Sequence, residues 1–300
     1  MEVQLLIFTI FTQLCVGVFI IAWITDFLVR KLHHQIVHVF DRMSTIVMIP
    51  ALVLGTSAAI FHLGHPMYGF MAVTHFATSW LSREVVLFNV FLFLLTIYTF
   101  LWWFRMEDAE LRRLIGILTA LTGIAAVFSS GMLYTLPSHP SWHYWTTVVS
   151  FFLSSFFMGG AVLIFVYRFA HKALTPLWTD ETRHPVLLFN QRNMACIFLA
   201  ISTSYLIVIT FHLLYLSKAG EEAAKSLSLM LDTYGIIFFV RVGIGLICPF
   251  ALSIAALFLV RQEAVTRSEI VLTVAAICII VGEVCSRILF FVTAVPLYVG

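Results

Sequence analysis

The sequence predicts an all-α polytopic membrane protein, a bundle of eight transmembrane helices with both termini on the periplasmic side. Three observations carry this. Of 300 residues, 61% are hydrophobic and only 11% charged, against roughly 25% charged in soluble domains. Apolar runs near the spanning length of about 20 residues recur eight times. The cations sort between alternate connections, twelve on one side against three on the other, and the positive-inside rule places the richer set in the cytoplasm.

The runs lie at about 5–28, 43–63, 81–104, 114–134, 145–169, 192–216, 232–260 and 269–293. No water reaches backbone groups in lipid, so each run must be a helix. The first starts in MEVQLLIFTI, with an acid where a signal peptide carries a basic region. It also has no A-x-A-type cleavage site, and it is read as a retained span. Arg30, Lys31 and Arg42 precede the second run, which ends at His62. The third opens with Ser82, Arg83 and Glu84, and Arg105, Arg112 and Arg113 follow it. After the fourth comes TLPSHPSWHYW, and Trp80, Trp142 and Trp145 fit an interfacial aromatic belt. Arg168, Lys172, Arg183 and Arg192 flank the connection from the fifth to the sixth. SKAGEEAAKSLSL reads as a solvated, partly helical cap before the seventh, and Arg261 and Arg267 lead into the eighth. No linker, charge run or convincing repeat divides the chain, so residues 1–300 form a single membrane domain.

The small net charge of +2 and the absence of a basic patch exclude a nucleic-acid partner. The five cysteines form no C-x-x-C and all sit in apolar runs, as buried small hydrophobes do. Neither an iron–sulfur cluster nor another metal is expected in this protein. Haem is not expected either. Of the histidines, only His62 and His212 fall within helices, and His212 has no evident partner at its depth.

Ionisable groups at membrane depth carry the functional signal. Each costs about 2.5–3.5 kcal/mol at the bilayer centre on insertion scales. His62 ends one helix and Glu84 opens the next at the same outer depth. Arg83, adjacent in sequence, faces elsewhere on the helix and is poorly placed to neutralise Glu84. Arg241 lies in the outer half of the seventh run, and Glu283 and Arg287 in that of the eighth. Their i,i+4 spacing, acid first, suits mutual pairing. Taken together, these groups predict one polar pocket facing the outside. Quinol oxidation suits such a pocket, because it releases two protons that need acceptors within hydrogen-bond reach. A histidine and a partly buried carboxylate supply them.

Four motifs occur in order: H-L-G-x-P from His62, W-L-S-R-E ending at Glu84, Y-T-x-P-x-x-P-x-W from Tyr134 to Trp142, and G-E-x-x-x-R-I-L-F from Gly282 to Phe290. In this combination the sequence resembles the membrane-anchor subunit of anaerobic dimethyl sulfoxide reductases over essentially its whole length. The resemblance implies a haem-free subunit of the bacterial inner membrane that oxidises menaquinol. It implies that electrons pass to an iron–sulfur subunit and then to a molybdopterin catalytic subunit, both docked on the periplasmic face. It also implies that His62 and Glu84 bind the quinol and take its protons. Arg83, Arg241 or Arg287 is left to counter the carboxylate or to dock the partner. Tyr134 and Trp142 would wall the pocket, with Glu283 among the quinol-binding groups. Two alternatives remain: an anchor of the polysulfide reductase type, and a secondary transporter using Arg241, Glu283 and Arg287.

Overall fold

In a computed structural model, the described residues are 3–29, 37–62, 73–104, 108–174 and 180–297. All regular structure among them is helical. Helices α1 (Val3–Val29), α2 (Val37–His62), α3 (Trp80–Phe104), α4 (Ala109–Tyr134), α5 (Trp145–Leu174) and α6 (Asp180–Leu216) make six crossings in order. The seventh crossing, Gly235–Arg261, is composite, and α10 (Val265–Val292) is the eighth. Seven of these helices are long and apolar enough to cross a membrane. The eighth is α2, which has 26 residues and a shorter apolar part, Arg42–Ala58. At 1.5 Å per residue it reaches about 39 Å, enough to cross.

Eight crossings bring Val3 and the segment after α10 to one end of the bundle, the terminal end. That terminal end also holds the connections α2–α3, α4–α5 and α6 to the seventh crossing. There the short helix α7 (Glu221–Ser228) runs into a π-helical turn, Leu229–Thr233. The backbone N–H of Leu297 ties the C-terminal segment to Ser138 O at 2.8 Å. At the opposite end Arg168 pairs with Glu269 at 3.3 Å.

The sequence marks the seventh run as an ordinary span, but the fold departs from that. Helix α8 (Gly235–Phe239) gives way to a π-helical stretch, Val240–Ile247, before α9 (Cys248–Arg261) resumes. The cause is local. Pro249 has no N–H to give the carbonyl of Gly245, and its ring crowds that carbonyl. Cys248 N–H bonds instead to Gly243 O, five residues back. Such wide turns frequently occur at functional sites, and this one carries Arg241.

Two glycine crossings set the helix spacing. A Cβ on Gly17 of α1 would run into the Ser155 carbonyl of α5, and one on Gly159 would meet the Gly17 backbone. Gly245 and Gly282 meet in the same way between the seventh crossing and α10. Small residues let backbones approach closely where lipid offers no hydrophobic drive for helix association. The main packings are α1 along α2 and α5, α3 along α4, α6 along α5 and the seventh crossing, and α10 along the seventh crossing and α5. The interior is filled by Phe19, Phe88, Phe91, Trp102, Phe151, Phe157 and Phe198, while Phe93, Phe104, Ile236 and Phe239 face outward.

Candidate functional site

Helix α3 opens at Trp80, and its first turn alternates between two environments. Ser82 and Glu84 are buried. Arg83 turns back to the preceding loop, donating to Phe76 O at 2.9 Å and Ala77 O at 2.6 Å. Its guanidinium also lies 4.2 Å from the Trp80 ring centroid. It therefore fastens the α3 entry and leaves Glu84 alone, as the angular offset of adjacent helix residues requires.

Glu84 is 2% exposed. Ser130 of α4 donates its hydroxyl to Glu84 Oε1. Among the described residues no cation lies within ion-pair distance of this carboxylate. His62 is the last residue of α2, and its side chain lies outside the described residues, as does the Leu63–Pro66 part of its motif. The pairing of His62 with Glu84 therefore has no geometry to report.

The other predicted groups gather between α5, α6, the seventh crossing and α10. Arg241 Nη1 donates to Glu283 Oε1 at 2.8 Å, with side-chain exposures of 3% and 1%. Ser154 of α5 donates to Glu283 Oε2 at 2.6 Å. Tyr205 of α6 donates to Ser150 O at 2.9 Å, lies 3.4 Å from Glu283 Oε2, and carries Arg241 over its ring at 4.3 Å. Glu283 thus takes its cation from the neighbouring helix, not from Arg287 at i+4. Arg287 donates to Gln13 Oε1 of α1 and lies 4.1 Å from the Phe151 ring centroid. The wide turn at Val240–Ile247 brings Arg241 to Glu283 alongside the Gly245–Gly282 contact.

An aromatic group closes this region toward the terminal end. Trp142 donates its indole N–H to Phe290 O at 2.9 Å and stacks on the Phe290 ring at 5.0 Å. His139 also stacks on Trp142, at 4.6 Å. Tyr134 meets Trp142, Phe151 and Phe290 at 5.3–5.5 Å. It stands one helical turn from Ser130 on α4.

Beneath these rings lies a cavity of about 110 Å³. Trp142, Phe151 and Phe290 line it together with Tyr205, His212, Arg241 and Arg287. Neither Glu84 nor Arg83 borders it. The expected polar groups thus fall in two places among the described residues: Arg241 and Arg287 on the cavity, and Glu84 against Ser130 of α4.

The sequence marked His212 only as a helix histidine with no evident partner, and its neutral neighbours not at all. His212 Nδ1 and Thr146 Oγ1 are 2.9 Å apart, joining α6 to α5. Gln13, Thr146, Ser154 and Tyr205 are neutral, and neutral polar residues are common in spans. The one signal was their position, each in the terminal-end part of its own helix. Among the described residues, no three His, Cys, Asp or Glu side chains cluster as metal ligands would.

Residues 1–292 match the family model described as DMSO reductase anchor subunit (DmsC). The chain belongs to this family. It is 29% identical over 133 residues to the C subunit of the sulfite dehydrogenase of Allochromatium vinosum, a match covering 41% of this protein and 40% of that one. It is 26% identical over 172 residues to the C polypeptide of the anaerobic dimethyl sulfoxide reductase of Haemophilus influenzae, covering 57% and 60%. The YnfH polypeptide of an anaerobic dimethyl sulfoxide reductase of Escherichia coli is 25% identical over 175 residues, covering 56% and 58%. The aligned part thus spans between two fifths and three fifths of these relatives' lengths. Family and helices together make this a multi-pass membrane protein of the anchor-subunit type.

Proposed function

We propose that this protein is the quinol-oxidising anchor of a molybdoenzyme complex of the dimethyl sulfoxide reductase type, in a bacterial inner membrane. Menaquinol binds near the periplasmic face, where charge sorting puts the terminal end. There it loses two electrons and two protons and becomes menaquinone. The electrons pass to a partner iron–sulfur subunit, and from it to a molybdopterin catalytic subunit that reduces the terminal acceptor. Those groups belong to the partners, and this protein supplies binding, orientation and proton handling.

One observation carries the reading: Glu84 is a buried carboxylate at the terminal end whose described partner is a hydroxyl instead of a cation. With no described cation paired to it, it can accept a quinol proton and pass it on without stranding a counter-ion. His62, at the end of the adjoining helix, is the second acceptor. Tyr134, one turn from Ser130 on α4, borders this region, while Trp142, Arg241 and Arg287 line the cavity that Glu84 does not reach, and Glu283 is held by Arg241. Arg83 holds the loop in place. Protons leave on the periplasmic side.

The test is quinol-driven reduction of the partner's iron–sulfur clusters in membranes holding the assembled complex. Glu84→Gln and His62→Leu should each abolish most of the signal while the complex still assembles. Full reduction in both variants would refute the assignment.

The relative named as a sulfite dehydrogenase subunit favours a second reading, in which electrons run from the partner into menaquinone. The same residues would then donate protons. Quinone reduction driven by the partner's substrate would select this direction.

A further inference from the structure

We propose that the cavity between α5, α6, the seventh crossing and α10 is a second quinone head-group site, separate from the Glu84 pocket. The proposal rests on the reading of this protein as a quinol-oxidising anchor.

The charges of this region do not balance. Arg241 and Arg287 bring two positive charges and Glu283 one negative, so one positive charge is left in the bundle interior. Among the described residues Arg287 meets no carboxylate within ion-pair distance; it donates to the amide oxygen of Gln13 and lies over the Phe151 ring. Arg241 Nη2 and Arg287 Nε are buried and have no hydrogen-bond partner among the described residues. A buried guanidinium with an idle N–H is expensive. An oxygen that gains negative charge during redox chemistry would satisfy both the hydrogen-bond deficit and the charge.

The walls fit a flat ring. Trp142, Phe151 and Phe290 line the cavity; Trp142 already stacks on His139 and Phe290, which leaves edge-to-face contact as the favourable geometry for a bound π-system. Its polar groups come from two sides. His212, on Thr146, belongs to the α5–α6 side, and its Nδ1 is engaged there, leaving Nε2 for a ligand. The guanidiniums come from the seventh crossing and α10. A ring with oxygens at opposite positions matches this division, one oxygen facing His212 and the other facing Arg241 and Arg287. A phospholipid phosphate would match the charge but not the ring-lined walls or the histidine at the far side.

The test is photolabelling of the assembled complex with an azido-naphthoquinone, followed by peptide mapping. Titration of the same probe is then run on His212→Leu and the isosteric Thr146→Val. The expected result is label on segments 141–151 and 205–213. Affinity at this site should fall about tenfold in His212→Leu, one hydrogen bond's worth, and less in Thr146→Val. Glu84→Gln should leave the cavity label in place while turnover falls. Label confined to segments 62–84, with both variants binding as the wild type does, would overturn the second site and leave the Glu84 reading standing. Acidic phospholipid retained in the cavity and not displaced by the probe would also overturn it. No labelling anywhere would overturn the quinol reading itself, and this inference with it.

Discussion

Glu84 and Glu283 are equally buried, at 2% and 1% exposed, yet they are held in opposite ways. Glu283 has a guanidinium at 2.8 Å and a serine hydroxyl at 2.6 Å, with a tyrosine at the margin of hydrogen bonding. Three helices converge on it. Among the described residues Glu84 has one hydroxyl, that of Ser130. Burial alone therefore does not mark a working carboxylate in a membrane. A paired carboxylate is framework, since neither charge can change without stranding the other. A carboxylate on a neutral donor is free to exchange its proton.

The comparison can be broken most forcefully at the pair. Arg241→Ala leaves Glu283 buried without its cation and should cost about 3–5 kcal/mol. Thermal unfolding in detergent should show little or no stably folded protein. Next comes the helix contact beneath the pair. Gly282→Ala places a methyl against the Gly245 backbone, which must move, at about 1–3 kcal/mol. A lowered unfolding temperature with the Arg241–Glu283 pair retained is the expected result. Ser130→Ala is smaller. It removes the one described donor to Glu84 at about 1 kcal/mol, and should reduce quinol turnover more than it reduces stability. Arg83→Gln is the smallest. It loosens the Phe76 and Ala77 contacts at the surface, so stability should change by less than about 1 kcal/mol.

Most of the architecture was legible in the sequence. Lipid leaves an apolar run of about 20 residues no backbone alternative to the helix, so apolar length and loop charge were enough to set the crossings. The π-helical turn was not legible. It depends on Pro249 acting on Gly245 within a run whose hydropathy looks uniform. The site was legible residue by residue but not in its grouping. Depth along a helix can be counted from the sequence, which is why Glu84, Arg241, Glu283 and Arg287 stood out. Azimuth and neighbour identity come from tertiary packing. Glu283 therefore found Arg241 across a glycine contact, and Arg287 found Gln13 at the far end of the sequence. Neutral partners such as Gln13 and Thr146 had no cost to betray them.

The most direct test neutralises the two carboxylates separately, comparing Glu84→Gln with Glu283→Gln in the assembled complex. Each change removes a charge at nearly constant volume. Complex yield and quinol-driven cluster reduction are read for both. The account predicts that Glu84→Gln assembles normally and loses about a hundredfold in turnover, the low end of what a proton-transfer group contributes. It predicts that Glu283→Gln fails first in yield, because Arg241 is left buried and unpaired. Normal turnover in Glu84→Gln, or a well-assembled but inactive Glu283→Gln, would contradict it.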